Sequence, residues 1–292
     1  VKSDTPFSAP RVYEDLGSWE SIRPIFDGIL ELYNGDNSPM NLVLFNDALA
    51  HLVRLHRIIR LTRGMALLIG VGGSGKQSLT RLATFAAGYK LYEITLSRGY
   101  GDDQLREDLK ALYTQTIKQP ISFLFTDAHV VEEGFLEYIN NILTVGMVPA
   151  LFGDDEKEPL VGAIRARARG EGVAEAGMWA YACGVIRDNL HLVLAMSPAG
   201  SQLRTRCRNF PGMVAGCTID WFFSWPQQAL LAVAEHFLAS VTGIDDFRSS
   251  ITDCMSYVHL SVTQEYSPQF EVKYKRRNFA TPKNYLDFLA NY

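Results

Sequence analysis

The stretch Leu67-Leu-Ile-Gly-Val-Gly-Gly-Ser-Gly-Lys-Gln-Ser-Leu79 passes from an apolar run through a glycine-rich turn into residues of helical character. Gly70 and Gly75 bracket four residues, and Gly72 and Gly73 lack the Cβ atoms that would keep backbone N–H groups from closing around an anionic oxygen. A helix starting near Lys76 adds the partial positive charge of its first turn, and the Lys76 ammonium can reach terminal phosphates. Residues Gly70, Gly72, Gly73, Ser74, Gly75 and Lys76 are therefore candidates for gripping a nucleoside triphosphate. The pattern Gly-x4-Gly-Lys ordinarily continues with Ser or Thr, whose hydroxyl helps to hold magnesium. Here Gln77 takes that place and Ser78 comes one residue late, so phosphate binding is expected to be sound and metal binding weakened.

Upstream of the loop, Ala48, Leu49, Leu52, Leu55 and Ile59 form the apolar stripe of a helix. An earlier helix is expected from Ile25, Ile29, Leu32 and Tyr33, ended by the turn-rich Asn34 to Pro39. Between them lies Met40-Asn-Leu-Val-Leu-Phe45; apolar residues there, Leu42, Val43 and Leu44, are candidates for contacting a base, with core packing the equal alternative. Downstream, Lys90 to Leu96 alternates as a strand, 103–118 reads as a helix, and Ile121-Ser-Phe-Leu-Phe125 is an apolar strand closing on Thr126-Asp127. Alternating strand and helix point to an α/β domain, with a parallel sheet covered on both faces.

The strand end poses the second chemical question. A fully equipped hydrolytic site places Asp then Glu, one for hydrated magnesium and one for the attacking water. This chain has Thr126, Asp127 and Ala128. Either Asp127 is the metal-side acid, with Ser78 beside it, and Ala128 replaces the base, or Thr126 replaces the metal acid and Asp127 serves as base. Glu132 and Glu133 read as solvated helix charges. A helix is expected over 132–145, a charged loop at Asp154 to Glu158, and two helices over 159–190, the first with an exposed basic face of Arg165, Arg167 and Arg169. His191 to Met196 is a further strand, and Ser197 at its end is a candidate for sensing the terminal phosphate. Arg206 and Arg208, close to Arg204 and ahead of Pro211, are candidates for neutralising phosphate in an adjacent module.

Cys217 to Pro226 supplies a last strand and an aromatic hinge. The remainder reads as helices, punctuated at Pro268, with Lys273 to Arg277 a solvated basic loop. Thr281-Pro282 caps and opens the final helix, and Lys283 in its first turn is a candidate for reaching phosphate from that side. The resulting division is a lead-in segment at 1–38, a large α/β domain at 39–225 and a small helical lid at 226–292.

Composition narrows the class. The 292 residues, 47% apolar, suffice for a full core. With 28 basic and 32 acidic residues the formal charge is -4, which gives no reason to expect nucleic acid or a membrane surface as partner. Cys183, Cys207, Cys217 and Cys254 lack zinc-ligand spacing and suit a reducing cytoplasm. Val1 in place of an initiator Met, and a helix running to Tyr292, suggest a piece of something longer.

Taken together the motifs resemble the fourth AAA+ module of an axonemal-type dynein heavy chain. The resemblance rests on Tyr13-Glu-Asp-Leu-Gly17, Met40 to Phe45, Gly70 to Ser78, Gly99-Tyr-Gly101 with Arg106-Glu-Asp-Leu109, Phe123 to Asp127, Phe135-Leu-Glu-Tyr-Ile-Asn-Asn141, Ile219-Asp-Trp221 and Thr281-Pro282. It implies an AAA+ P-loop large domain and helical lid within a ring of modules, binding ATP or ADP, with magnesium, at the boundary with the next module. It also implies a microtubule partner reached through the stalk, a cytoskeletal location in the axoneme of a cilium or flagellum, and Arg206 or Arg208 facing the preceding module's site. With Phe135-Leu-Glu137 superposed on the cytoplasmic members of that family, the resemblance places Asp127 at the catalytic glutamate and Thr126 at the magnesium aspartate, which favours the second register. The expected function is a regulatory module that binds nucleotide and hydrolyses it slowly. An active stand-alone P-loop ATPase and a structural spacer without nucleotide are the other two readings.

Overall fold

The structure, a computed structural model, describes residues 17–292; Pro6, Pro10 and the motif residues Tyr13 to Leu16 lie outside the described residues. Its centre is a five-stranded, all-parallel sheet in the order β2-β3-β4-β1-β5. The strands are β1 (Ala66–Ile69), β2 (Lys90–Glu93), β3 (Ile121–Thr126), β4 (Leu190–Met196) and β5 (Thr218–Trp221). Every residue of β1, β3 and β4 is buried, as near-continuous apolar runs require when helices cover both faces. The α/β class and parallel sheet expected from the sequence are thus present.

One face is covered by α1 (Trp19–Asp36), α2 (Asn46–Arg60) and α3 (Lys76–Ala86), whose Phe26, Leu49, Leu52, Ile59 and Leu82 pack on Leu68 and Leu124. On the other, α4 (Asp102–Thr116), α5 (Phe135–Thr144), α6 (Asp154–Gly170) and α7 (Met178–Asn189) bury Leu109, Tyr113, Phe135 and Ile186 against Leu67, Phe123 and Phe125. Two short helices, α8 (Gln202–Asn209) and α9 (Gly212–Ala215), link β4 to β5. After β5 come α10 (Gln227–Leu238), α11 (Arg248–Ser261), α12 (Ser267–Tyr274) and α13 (Pro282–Ala290). They enclose a third apolar cluster of Leu230, Val233, Leu238, Met255, Tyr285 and Leu289. Tyr285, wholly buried, satisfies its hydroxyl by donating to the Leu230 carbonyl at 3.0 Å. The Met40 to Phe45 stretch runs between two of these cores: Leu42 and Leu44 pack with the sheet, Val43 with the C-terminal helices and Phe45 with both.

Several local expectations need correction. Asp154 to Glu158 is not a loop but the opening of α6, where acidic side chains meet the positive helix end and Glu156 accepts from the Gly153 N–H at 2.8 Å. The arginines farther along that helix are exposed or half-exposed, as expected, but their charge is matched: Arg165 pairs with Glu158 and Glu175, Arg167 with Glu171 and Arg169 with Glu175. In α1 the inward stripe is Ile22, Phe26 and Tyr33, whereas Ile25 and Leu32 face outward at 43% and 65% exposure. Pro268 does not interrupt the C-terminal helices. The chain passes from α11 to α12 through a π-helical segment, Val262–Tyr266, whose wider turn accommodates the proline's missing N–H. Helix α5 also begins later than expected, leaving Glu132 and Glu133 in the preceding turn.

Candidate functional site

Because β4 lies between β1 and β3, three strand ends that are far apart in sequence open at one edge of the sheet. They deliver the glycine loop after β1, Asp127 after β3 and Ser197 after β4. Such an edge, at the carboxyl ends of parallel strands, is where α/β folds bind ligands. Gly73 and Gly75 adopt positive φ of 79° and 93°, a conformation that costs a side-chain-bearing residue energy, and Gly75 caps α3. The loop is anchored to the sheet by the Gly70 N–H donating to the Met196 carbonyl at 3.1 Å and by close contact with Phe222. Ser74 is buried.

Lys76 folds back over this loop. Its ammonium donates to the carbonyls of Gly70 and Val71 at 2.5 and 2.9 Å and to Ser74 Oγ at 3.3 Å. Burial pushes the Lys76 ammonium down to about 8, with the Asp127 charge acting in the opposite sense. A polyphosphate would exchange neutral carbonyl acceptors for charged oxygens, so the residues fit that group. The pH consequences have opposite signs for ligand and fold. A bound phosphate raises the lysine pKa above its free value, so affinity is full below about pH 8 and falls by up to about tenfold per unit above it. Fold stability is instead penalised at low pH and gains as pH climbs from about 8 toward the unfolded value, because the folded pKa is depressed. Calorimetric titration with ADP at a series of pH values, beside thermal unfolding of the free chain, checks both signs.

Asp127 is held on both oxygens: Oδ1 accepts from Arg206 at 2.8 Å and Oδ2 from the Ser197 backbone N–H at 2.6 Å. Ser197 therefore meets the acid through its backbone, while its hydroxyl accepts from the Ala199 N–H at 3.3 Å. Thr126 is buried, and its N–H donates to His129 Nδ1 at 3.2 Å; burial also pushes the His129 imidazole down. Gln77 is exposed and Ser78 half-buried on α3. Of the two candidate magnesium ligands, Asp127 has both carboxylate oxygens engaged and Ser78 stands one position beyond the usual hydroxyl, a poorer provision than the phosphate cradle. Among the described residues no group of three or more His, Cys, Asp or Glu side chains could hold a metal ion.

From the other side, α13 reaches the loop. The Lys283 N–H approaches the Gly72 carbonyl at 3.4 Å, and a Cβ added to Gly73 would lie 2.3 Å from the Lys283 nitrogen. Lys283 thus touches the loop by its backbone, and its side chain is exposed. Thr281 caps the helix, and Asn284 Oδ1 accepts from the Thr281 N–H at 2.9 Å in return. The candidate base-contact residues Leu42, Val43 and Leu44 occupy the packing seam described above, with Leu44 buried.

Other groups around the site escaped the sequence reading. Glu133 is no free surface charge but forks against Arg206. Arg206 is buried and spent on its own chain, whereas Arg208 is exposed. Asp220, almost fully buried on β5, accepts from Arg54 and pairs with His51 at 2.8 Å; the His51 ring stacks on Phe222 at 3.9 Å. Phe222 in turn lies against Gly70, where an added Cβ would come within 2.7 Å of its own. In the sequence Asp220 stands out only as part of Ile219-Asp-Trp221, because its partners lie far back along the chain on α2.

Residues 40–292 match a family described as the P-loop containing dynein motor region D4. The chain is 52% identical over 289 residues to "Dynein-1-alpha heavy chain, flagellar inner arm I1 complex" of Chlamydomonas reinhardtii, covering 97% of the chain and 6% of that protein. It is 54% identical over 288 residues to "Dynein axonemal heavy chain 10" of Homo sapiens, with the same coverage. To "Dynein axonemal heavy chain 5" of Mus musculus it is 42% identical over 294 residues, again 97% of the chain and 6% of the relative. The chain therefore spans a small fraction of the length of these relatives. No helix among the described residues is long and apolar enough to cross a membrane.

Proposed function

The chain belongs to the P-loop containing dynein motor region D4 family, and from that membership we propose that it is the fourth AAA+ module of an axonemal-type dynein heavy chain, working as a nucleotide-binding regulatory element. It holds ATP or ADP on the Gly70 to Lys76 loop and hydrolyses ATP slowly. Its parts are a lead-in segment at 1–38, a large domain at 39–225 and a helical lid at 226–292. Its partners are neighbouring AAA+ modules of the same heavy chain and, through the stalk, a microtubule. It resides in the cytoplasm, in the axoneme of a cilium or flagellum.

The observation that carries this reading is an imbalance within one site. The loop has the positive-φ glycines, the helix start and the half-buried ammonium that polyphosphate recognition needs. The acidic strand end offers Asp127 followed by Ala128, and Gln77 stands where a metal-binding hydroxyl belongs. Magnesium, when bound, would draw charge from the phosphates, with Asp127 and Ser78 the residues to hold it. The output is conformational: α13 abuts the loop, so occupancy there biases the angle between sheet and C-terminal helices. Thermal unfolding with and without ADP tests binding. At 100 times the dissociation constant the ligand adds about 2.7 kcal/mol of stability; no shift with either nucleotide supports the spacer reading instead.

A further inference from the structure

Helix α8 starts just after the strand end that carries Ser197, and its three arginines have different fates. Arg204 and Arg208 are exposed, but the Arg206 side chain is only 8% exposed and its donors are divided between two carboxylates. Nε and one terminal nitrogen go to Glu133, at 3.1 and 2.8 Å, and the other terminal nitrogen goes to Asp127 at 2.8 Å. The fork against Glu133 fixes the plane of the guanidinium and so aims the remaining amine at Asp127. With the Ser197 N–H on the second oxygen, Asp127 has a directional partner on each side, both supplied by its own chain.

We propose that Arg206 is a positioning residue that restrains Asp127 in cis, with Glu133 as its anchor, so that the acid of this site is held out of use until Arg206 is drawn away. The proposal rests on reading Asp127 as the acid of a nucleotide site. In hydrolysis the oxygen of water bonds to the terminal phosphorus, and the bond from that phosphorus to the bridging oxygen breaks. ADP and inorganic phosphate leave, and the water proton passes to Asp127. While the guanidinium holds one Asp127 oxygen and the Ser197 N–H the other, the carboxylate is not free to turn toward an attacking water or hydrated magnesium. The low turnover expected here then has a second cause besides missing groups, and this one is reversible.

The restraint is separable from the fold because its carboxylates reach water: the side chains of Asp127 and Glu133 are 39% and 62% exposed, so neither is stranded when the guanidinium is removed. Arg206→Met keeps an unbranched chain in the buried position. It is expected to raise the rate of phosphate release from ATP by about tenfold or more, the worth of one charge-assisted hydrogen bond, while ADP affinity stays within about twofold. Magnesium should also tighten ATP binding more in the variant than in wild type, a readout that needs no turnover. Arg206→Lys, which retains charge but engages one carboxylate at a time, should fall between the two and stands in if the Met variant does not fold. A merely structural arginine would give losses in these measurements, never gains. Unchanged or reduced turnover in a variant that still binds ADP, with no added magnesium effect, overturns the restraint alone. Absence of ADP binding in wild type overturns the site reading and the restraint with it.

Discussion

Replacing Lys76 by alanine is expected to weaken both ATP and ADP by about a hundredfold or more, equivalent to about 2.7 kcal/mol, with little change in the stability of the free chain. The two halves of that expectation have different causes. In the free chain the ammonium is half-buried against the carbonyls of Gly70 and Val71, and its depressed pKa records that burial penalises its charged form. Removing it relieves that penalty while forfeiting the carbonyl bonds, so the net effect on folding is small. In the bound state the same ammonium faces phosphate oxygens, where a charge-assisted bond in a partly desolvated site is strong. Calorimetric titration of wild type and variant, beside their unfolding midpoints without ligand, separates the terms. Equal affinities would mean that Lys76 is only a structural clip for the loop.

Gly73→Ala should have the largest effect on the junction between the loop and the C-terminal helices. The residue sits at φ 79°, where a side chain costs about 1–2 kcal/mol, and the added methyl would lie 2.3 Å from the Lys283 nitrogen and 2.7 Å from its Cα. Those atoms are backbone at the start of α13 and cannot rotate aside, so the helix must shift. The expected result is faster amide exchange across α13 and loss of about 2 kcal/mol or more of stability before any nucleotide is added. Gly72→Ala is the control, because an added Cβ there meets nothing within 4 Å and no positive φ is involved. If the two variants exchange alike, the abutment of α13 on the loop is not a mechanical link, and the conformational output proposed above loses its route.

What the sequence disclosed depended on how local each signal was. The loop from Gly70 to Lys76 carries its function in contiguous residues, and β1, β3 and β4 announce themselves as apolar runs because both sheet faces are covered. The final helix was equally legible, since Thr281 and Pro282 are a cap and a first-turn residue by chemistry alone. Boundaries that depend on charge were misread: Asp154 to Glu158 resembles a loop until the preference of acids for a helix start is weighed. In α1 the expected Ile29 and Tyr33 do pack inward, but Ile25 and Leu32 share their helical spacing and face outward, and only packing chooses between them. Hidden altogether was the arrangement around Asp127. Arg206 reaches it because α8 follows a strand lying between β1 and β3, and that order is a property of the sheet. The pairing of Asp220 with His51 and Arg54 is of the same kind, joining α2 to a strand far along the chain.

Retention of nucleotide and its slow cleavage at this site can be read from one sample. The measurement is a single-turnover experiment on the chain in excess over labelled ATP, following retained nucleotide and released phosphate together. Nucleotide is expected to be retained through Lys76, with phosphate appearing far more slowly than about 1 per second, the lower end of ordinary enzyme turnover. Failure to retain nucleotide, or release at about 1 per second or faster that Lys76→Ala abolishes, would rule out a site that binds without cleaving.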